Sequence, residues 1–111
     1  MEESLFEGKE PKVKAIYNAI KRAANKLGVV KFETKKTSIH IVARIAFLGI
    51  HPKTKWLDLN IVTTEPIISS RVSKTERVSA NRFHNSIRLT EESQVDSELI
   101  NWIKKSYAQL S

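Results

Sequence analysis

The sequence predicts an α+β fold, a two-layer α/β sandwich in which two helices cover one face of an antiparallel sheet of about five strands. Apolar residues recur every three or four positions near both ends of the chain, and between the ends they alternate with polar residues. The segments between the predicted strands are too short to contain crossover helices, so the strands are expected to form an antiparallel meander. The predicted order is helix, sheet, helix.

Length and composition limit the class of protein. The 111 residues, of which 41% are apolar, are enough for one core, so we expect a single domain over residues 1–111. The absence of cysteine excludes disulfides and thiolate metal sites. No apolar run approaches the ~20 residues that span a bilayer, and Glu2 and Glu3 stand where a secretory signal would be basic. The expected location is cytoplasmic, away from membranes.

The first helix is expected at residues 11–27. Pro11 suits the first helical position, and Gly28 suits the residue after the last. Leu5 and Phe6 are expected to tuck a short N-terminal turn against the body. The apolar stripe of the helix comprises Val13, Ile16, Tyr17, Ile20, Ala23, Ala24 and Leu27.

Alternating polarity and β-branched residues predict the strands. They are expected at residues 29–34, at 37–45, from 56 to the Glu65-Pro66 pair, at 67–72 and at 81–90. Gly49, His51 and Pro52, followed by Lys53 and Thr54, are typical of a turn. Residues 73–80 are interpreted as a polar connection.

The closing helix is expected at residues 94–110. Ser93, followed by Asp96 three residues later, is typical of a helix start. Its apolar stripe comprises Val95, Leu99, Trp102, Ile103, Tyr107 and Leu110. Trp102 and Phe83 are expected to be core residues in contact across the two layers.

One residue does not fit the alternation in the last strand. Asn85 shares the parity of Phe83 and Ile87, so it is expected to point into the core. Either a bulge shifts the register near Asn85, or its amide is satisfied by neighbouring groups.

The uncovered sheet face is the best candidate site. By alternation it carries Ser38, His40, Val42 and Arg44, then Trp56, Asp58, Asn60 and Val62, and finally Arg82, His84, Ser86 and Arg88. The net charge is +7, from 19 Lys and Arg against 12 Asp and Glu, and the middle of the chain is its basic part. Arginine binds phosphate, and tryptophan stacks on bases. The alternative is a solvated face with cross-strand pairs, such as Asp58 with Arg44 or Arg82.

Catalytic patterns are absent from the sequence. It contains no glycine-rich phosphate loop, no nucleophile elbow and no pair of histidines at helical spacing. His40, His84 and Asp58 share a face, but no third ligand has a firm spacing, so we expect no metal site and no cofactor. The expected protein is not an enzyme.

The residues resemble a family of short bacterial and archaeal domains of unknown function. The motifs that carry the resemblance are Lys36-Thr37-Ser38-Ile39, Phe47, Trp56-Leu57-Asp58-Leu59, Arg71-Val72, Asn81-Arg82-Phe83-His84, Val95-Asp96 and Trp102-Ile103-Lys104-Lys105-Ser106-Tyr107. Lys36, Ser38, Arg82 and His84 match its recurring polar positions. The resemblance implies a stand-alone or C-terminal module, some members being predicted to handle nucleic acid, and it implies no catalytic role. The layout is also similar to frataxin-like two-layer folds.

Two functions remain open from the sequence. The first is a binding module for phosphate-rich ligands such as nucleic acid, with ligand contacts from Lys36, Ser38, His40, Arg44, Trp56, Arg82, His84 and Arg88. The second is a protein-interaction module that docks on an acidic partner or on itself, through the same face or an exposed sheet edge. The protein is accordingly expected to be a monomer or a homodimer.

Overall fold

A computed structural model describes residues 2–110 and confirms the α+β class. In these residues, six strands form one antiparallel sheet in the order β1-β2-β3-β4-β6-β5. The strands are β1 (Lys31–Thr34), β2 (Ile39–Val42), β3 (Ala46–Pro52), β4 (Leu57–Thr63), β5 (Val72–Ser79) and β6 (Arg82–Leu89). The α-helices are α1 (Pro11–Asn25) and α2 (Ser97–Leu110), and short 3-10 helices occupy Glu2–Phe6 and Glu92–Gln94. No helix within residues 2–110 has the length and apolarity needed to cross a membrane.

Helix α1 forms nearly as predicted. It begins at Pro11, and the expected apolar stripe is buried except for Leu27, which follows the helix and is only partly buried. Leu5 is buried ahead of the helix, and the Phe6 ring lies 5.2 Å from the Tyr17 ring. The expected N-terminal packing is therefore confirmed.

The predicted strand at residues 37–45 is wrong, because the chain turns inside it. Ala43 donates its backbone N–H to Ile45 at 3.1 Å, and β3 starts at the next residue. The predicted turn at Gly49 and His51 is also wrong, since both residues lie in β3. The chain turns at residues 53–56 instead. Pro52 is tolerated because it ends the strand, where a missing N–H costs least.

The predicted strand at residues 67–72 and the predicted connection at 73–80 are likewise wrong. Residues 64–71 form a loop, and residues 72–79 form β5 at the edge of the sheet. Apart from Val72, every residue of β5 is exposed. Because neither face of this strand is buried, its sequence does not alternate between apolar and polar residues. Strand β4 pairs with β6, and β5 lies outside β6, so the sheet is not a simple meander of about five strands.

The core lies between one sheet face and the two α-helices. Both helices contact β4 and each other. The Ser106 hydroxyl of α2 donates to the carbonyl groups of Phe47 and Val62. These two residues lie just beyond the point where the pairing between β3 and β4 ends. Tyr17 and Phe47 are the fully buried aromatic residues among those described.

Trp102 and Phe83 are not the core pair that we expected. Both are only partly buried. The Trp102 ring is covered by the Arg71 guanidinium, whose carbon lies 5.6 Å from the ring centre. Phe83 is opposite Thr63 on one side and Arg77 on the other, on the exposed flank next to β5. The position of Phe83 beside the exposed edge strand β5, rather than its residue type, decides its burial.

Asn85 points into the core, as its parity predicted, without a bulge in β6. It is fully buried, and its side-chain nitrogen donates to the Ile61 carbonyl and the Thr63 hydroxyl, both at 2.9 Å. Its side-chain oxygen accepts from Ile67 N at 3.0 Å and Thr75 Oγ1 at 3.4 Å. The satisfied amide therefore fastens the 64–71 loop to the sheet.

Helix α2 starts later than predicted. It begins at Ser97, and Asp96 caps it by accepting a hydrogen bond from Leu99 N at 3.0 Å. Ser93 lies instead in the preceding 3-10 helix. Arg71 contacts the Asp96 carboxylate at 3.0 Å and so ties the 64–71 loop to the start of α2.

Candidate functional site

The structure divides the eight predicted ligand residues among four places. Trp56 and Arg88 lie near the β3–β4 turn, His40 and His84 lie on the open sheet face, Arg44 and Arg82 lie at the opposite end of the sheet, and Lys36 and Ser38 lie in the β1–β2 hairpin. They therefore do not form one continuous surface.

Trp56, Asp58 and Arg88 form a closed contact. Arg88 Nε lies 3.2 Å from Asp58 Oδ1, and Trp56 Nε1 donates to Asp58 Oδ2 at 3.2 Å. The Arg88 guanidinium carbon lies 4.4 Å from the centre of a Trp56 ring, at cation–π distance. The predicted pairing of Asp58 with Arg44 or Arg82 is wrong, because the register places Asp58 opposite Arg88.

Arg44 does not belong to the open face, and Arg82 lies at its far end. Strand β2 ends at Val42, so Arg44 falls in the β2–β3 turn. Arg82 begins β6, and both arginines line a small depression with Gln109 and Leu110 of α2. The sequence placed Arg44 on a strand face because the alternation continues through the turn.

Lys36 and Ser38 have different surroundings within one hairpin. Lys36 is exposed, whereas Ser38 is only 7% exposed. The Ser38 carbonyl accepts from Lys35 N at 2.7 Å and closes the turn. Ser38 therefore has a structural role in the hairpin.

Lysines gather at one end of the sheet. The β1–β2 and β3–β4 turns share this end, because successive strands run in opposite directions. A shallow depression is lined by Lys9, Lys53, Lys55 and Trp56. The backbone N–H of Glu10 donates a hydrogen bond to the Thr54 carbonyl at 2.9 Å, which holds Lys9 next to the β3–β4 turn. We call Lys9, Lys36, Lys53 and Lys55 the lysine-rich end.

The lysine-rich end has no acidic partner within residues 2–110. None of its four lysines forms an ion pair there, although other lysines do, such as Lys12 with Glu91 and Lys21 with Glu2. The sequence analysis missed Lys9, Lys53 and Lys55 as site residues. Their signal was the Lys53-Thr54-Lys55 run at a turn between strands.

All three histidines of the sequence line one depression on the open sheet face. Its volume is about 160 Å³. The register explains the grouping, because Gly49 lies opposite His40 on one side and opposite Asn60 on the other. The lining residues are His40, Ala46, Leu48, Gly49, His51, Asn60, Val62 and His84. We call this depression the histidine pocket.

Among the three histidines of this pocket, His51 is the one that the sequence analysis placed in a turn and did not predict as a ligand residue. Burial, then the nearby charges of Lys53 and His40, lower the pKa of His51 below its ordinary value, and Asp58 opposes them. Within residues 2–110 no side-chain hydrogen bond involves any of the three imidazoles. No three His, Cys, Asp or Glu side chains in that range converge on a position for a metal ion.

The open face itself is close to balanced in charge. By strand alternation, the open face carries the basic residues Lys31, Lys74, Arg82 and Arg88 and the acidic residues Glu33, Asp58 and Glu76. The excess of positive charge on this face is therefore small. The surplus of positive charge lies at the sheet ends and on the helices.

Comparison with protein families gives a match over nearly the whole chain. The model of a family described as "Domain of unknown function (DUF5655)" matches residues 2–109. The search of curated proteins returned no match, and neither did the search of solved structures. The family match agrees with the resemblance found in the sequence.

Proposed function

The chain belongs to this DUF5655 family of domains of unknown function, and we propose that it is a binding module for phosphate-rich ligands, nucleic acid above all. The observation that supports the proposal is the lysine-rich end, where Lys9, Lys53 and Lys55 surround Trp56 without ion pairs to other residues in 2–110. The proposed activity is binding rather than catalysis, as the sequence led us to expect.

Unpaired lysines favour phosphates for an electrostatic reason. A lysine that is not neutralised by the protein attracts a phosphate and allows the nucleic acid to release a condensed counterion. Lysines that already hold a carboxylate, such as Lys12 and Lys21, gain less from such a contact. The proposal therefore assigns the phosphate contacts to the lysine-rich end.

Trp56 and Arg88 extend this surface onto the sheet. The guanidinium of Arg88 packs over the Trp56 ring and also contacts Asp58, so both side chains are held in one arrangement. Ordered planar groups beside cations suit a nucleic acid, because a sugar or base can lie against the plane while phosphates face the lysines. Arg44 and Arg82 lie outside this proposed surface.

Salt dependence tests the proposal. Binding of a fluorescently labelled single-stranded oligonucleotide is measured by anisotropy over a range of salt concentrations. The triple variant Lys9→Gln, Lys53→Gln, Lys55→Gln should reduce the slope of log affinity against log salt by about two, because each lost phosphate contact accounts for roughly 0.7. Its free energy of unfolding should change by less than ~0.5 kcal/mol per site, since the lysines are surface residues.

A matched control variant has the same net charge as the Lys9, Lys53, Lys55 triple variant. The variant Lys26→Gln, Lys104→Gln, Lys105→Gln removes three exposed lysines from the helical side. It should keep the slope of the parent protein. Equal losses in both variants would show that only total charge matters. Absence of binding to single- or double-stranded DNA or RNA at low salt and tens of micromolar protein would reject the proposal.

Self-association is the second candidate function, and the β5 edge favours it. One side of β5 pairs with β6, and its other side is the edge of the sheet. In an antiparallel pair of β5 strands with a two-fold axis at Thr75, Lys74 would lie opposite the Glu76 of a second copy. A mass that rises with protein concentration in the absence of nucleic acid would support this candidate.

A further inference from the structure

We propose that the histidine pocket holds one unpaired base of a single-stranded nucleic acid whose phosphates contact the lysine-rich end. This inference rests on the proposed function and adds to it the strandedness of the ligand and a second point of contact.

The floor of the pocket is open because residue 49 is glycine. A Cβ atom built on Gly49 would lie 3.4 Å from Asn60 Cβ and 3.5 Å from His51 Nε2. A side chain at this position would therefore occupy the space between Asn60 and His51. The volume of about 160 Å³ is sufficient for a planar ring, since a cavity of roughly 150 Å³ holds benzene.

The walls of the pocket offer stacking surfaces and hydrogen bonds. His40, His51 and His84 contribute three aromatic rings, and histidine is among the side chains on which unpaired bases stack. The ring nitrogens make no side-chain hydrogen bonds within residues 2–110, so they remain available. Asn60 adds an amide, whose oxygen only weakly accepts from Ser86 Oγ at 3.5 Å.

The electrostatics of the pocket favour a base over a phosphate. Glu76 lies opposite His84 and forms no ion pair within residues 2–110, and an unpaired carboxylate repels a phosphate. Burial lowers the pKa of His51 and so favours its uncharged imidazole over the imidazolium, which would attract a phosphate. An uncharged heterocycle with donors and acceptors at its edge fits this pocket better than an anion does.

The position of Lys53 connects the pocket with the lysine-rich end. Lys53 follows His51 by two residues and is close enough to lower its pKa. A nucleotide with its base in the pocket can therefore direct its phosphate towards the β3–β4 turn. A base in a duplex is paired and stacked and cannot enter a concave site unless it is flipped out, so the ligand is single-stranded.

An abasic strand separates base contacts from phosphate contacts. Affinity is measured for a labelled single strand and for an abasic strand of equal length, which carries the same phosphates without bases. The parent protein should bind the ordinary strand roughly tenfold more tightly or better, the effect expected of one stacked base. Gly49→Ala and the double variant His40→Ala, His84→Ala should lose this preference and retain the affinity for the abasic strand.

A matched control and a second measurement guard against variants that fold poorly. Lys31→Gln changes an exposed residue of the same sheet face outside the pocket lining and should keep the preference for bases. In the parent protein, an uncharged nucleoside should shift the NMR signals of the ring protons of His40, His51 and His84.

The outcomes distinguish the two proposals. Equal affinity for ordinary and abasic strands, with unmoved histidine signals, would overturn the pocket and leave phosphate binding intact. If the parent protein binds neither strand but a nucleoside still shifts its histidine NMR signals, the proposed function would be overturned and the pocket would be supported as a base site. Retention of the preference in both pocket variants would place the base contact elsewhere on the protein and overturn this inference.

Discussion

At the scale of single residues, two polar side chains on strands that both pair with β4 have opposite roles. Asn85 is fully buried, and four hydrogen bonds satisfy its amide. Such a group stabilises the fold and has no capacity left for a ligand. His51 is half-buried and makes no side-chain hydrogen bond within residues 2–110. Its capacity for hydrogen bonding, rather than its polarity alone, makes it a candidate ligand residue.

The surroundings of His51 predict a pH-dependent contribution to stability. The pKa of His51 is lower in the folded protein than its ordinary value of 6.5. As pH falls below about 7, the unfolded chain therefore binds more protons at this residue than the folded protein does, which favours unfolding. The contribution of His51 is therefore complete above the unfolded pKa and is lost as pH falls through the folded pKa. The His51→Gln variant should show a smaller decline of the free energy of unfolding between about pH 7 and pH 5.

The titration midpoint of His51 can be measured directly from its NMR ring signals. It should lie below that of a histidine in an unfolded peptide, and Lys53→Gln should raise it, because one neighbouring positive charge is removed. A midpoint at or above the peptide value would contradict this assignment.

At the scale of secondary-structure elements, the start of α2 gives a sharp comparison between sequence and structure. The sequence favoured Ser93 as the cap, whereas Asp96 accepts the hydrogen bond from Leu99 N and also contacts Arg71. Asp96→Ala should therefore lower the free energy of unfolding by ~1–2 kcal/mol. Ser93→Ala should lower it by less than ~0.5 kcal/mol. Urea denaturation of the two variants decides between the caps, and a larger loss for Ser93→Ala would restore the cap predicted from sequence.

The elements that bury one face were predictable, and those that bury none or end early were not. Helix α1 and strand β4 carry apolar residues at the period of their structure, so the sequence shows them clearly. Strand β5 is exposed on both faces and is held by its pairing with β6, a long-range contact that leaves no local pattern. The β2–β3 turn was missed because Ile41, Ala43 and Ile45 continue the alternation across it.

The candidate site was predictable to the same extent as the strands that carry it. His84 and Arg88 lie on the open face as expected, because the alternation in β6 was correctly identified. Arg44 was misplaced together with the missed turn. His51 was overlooked because Gly49, His51 and Pro52 resemble a turn, although these residues form the central strand β3.

At the scale of the whole molecule, the most buried residues and the surplus of positive charge lie in different places. Burial is greatest at the centre of the sheet, where β4 is paired on both sides and contacted by both helices. The surplus of positive charge lies at the ends and on the helices, away from that centre. Ligand contacts at the lysine-rich end therefore require little change in the core, and variants there should leave the stability of the protein nearly unchanged.

The sheet order predicts a gradient of hydrogen exchange. The backbone amides of Leu59 and Ile61 in β4 should exchange most slowly, at a rate set by global unfolding, because their strand is paired on both sides and their side chains are buried. The amides of β5 that point away from β6 should exchange fastest among the strand residues, since β5 forms an edge of the sheet. Exchange followed by NMR or mass spectrometry at two protein concentrations also tests self-association. Protection of β5 that appears only at the higher concentration would indicate pairing of β5 between two copies, because dilution separates them. Protection of β5 equal to that of β4 at both concentrations would contradict the edge position of β5.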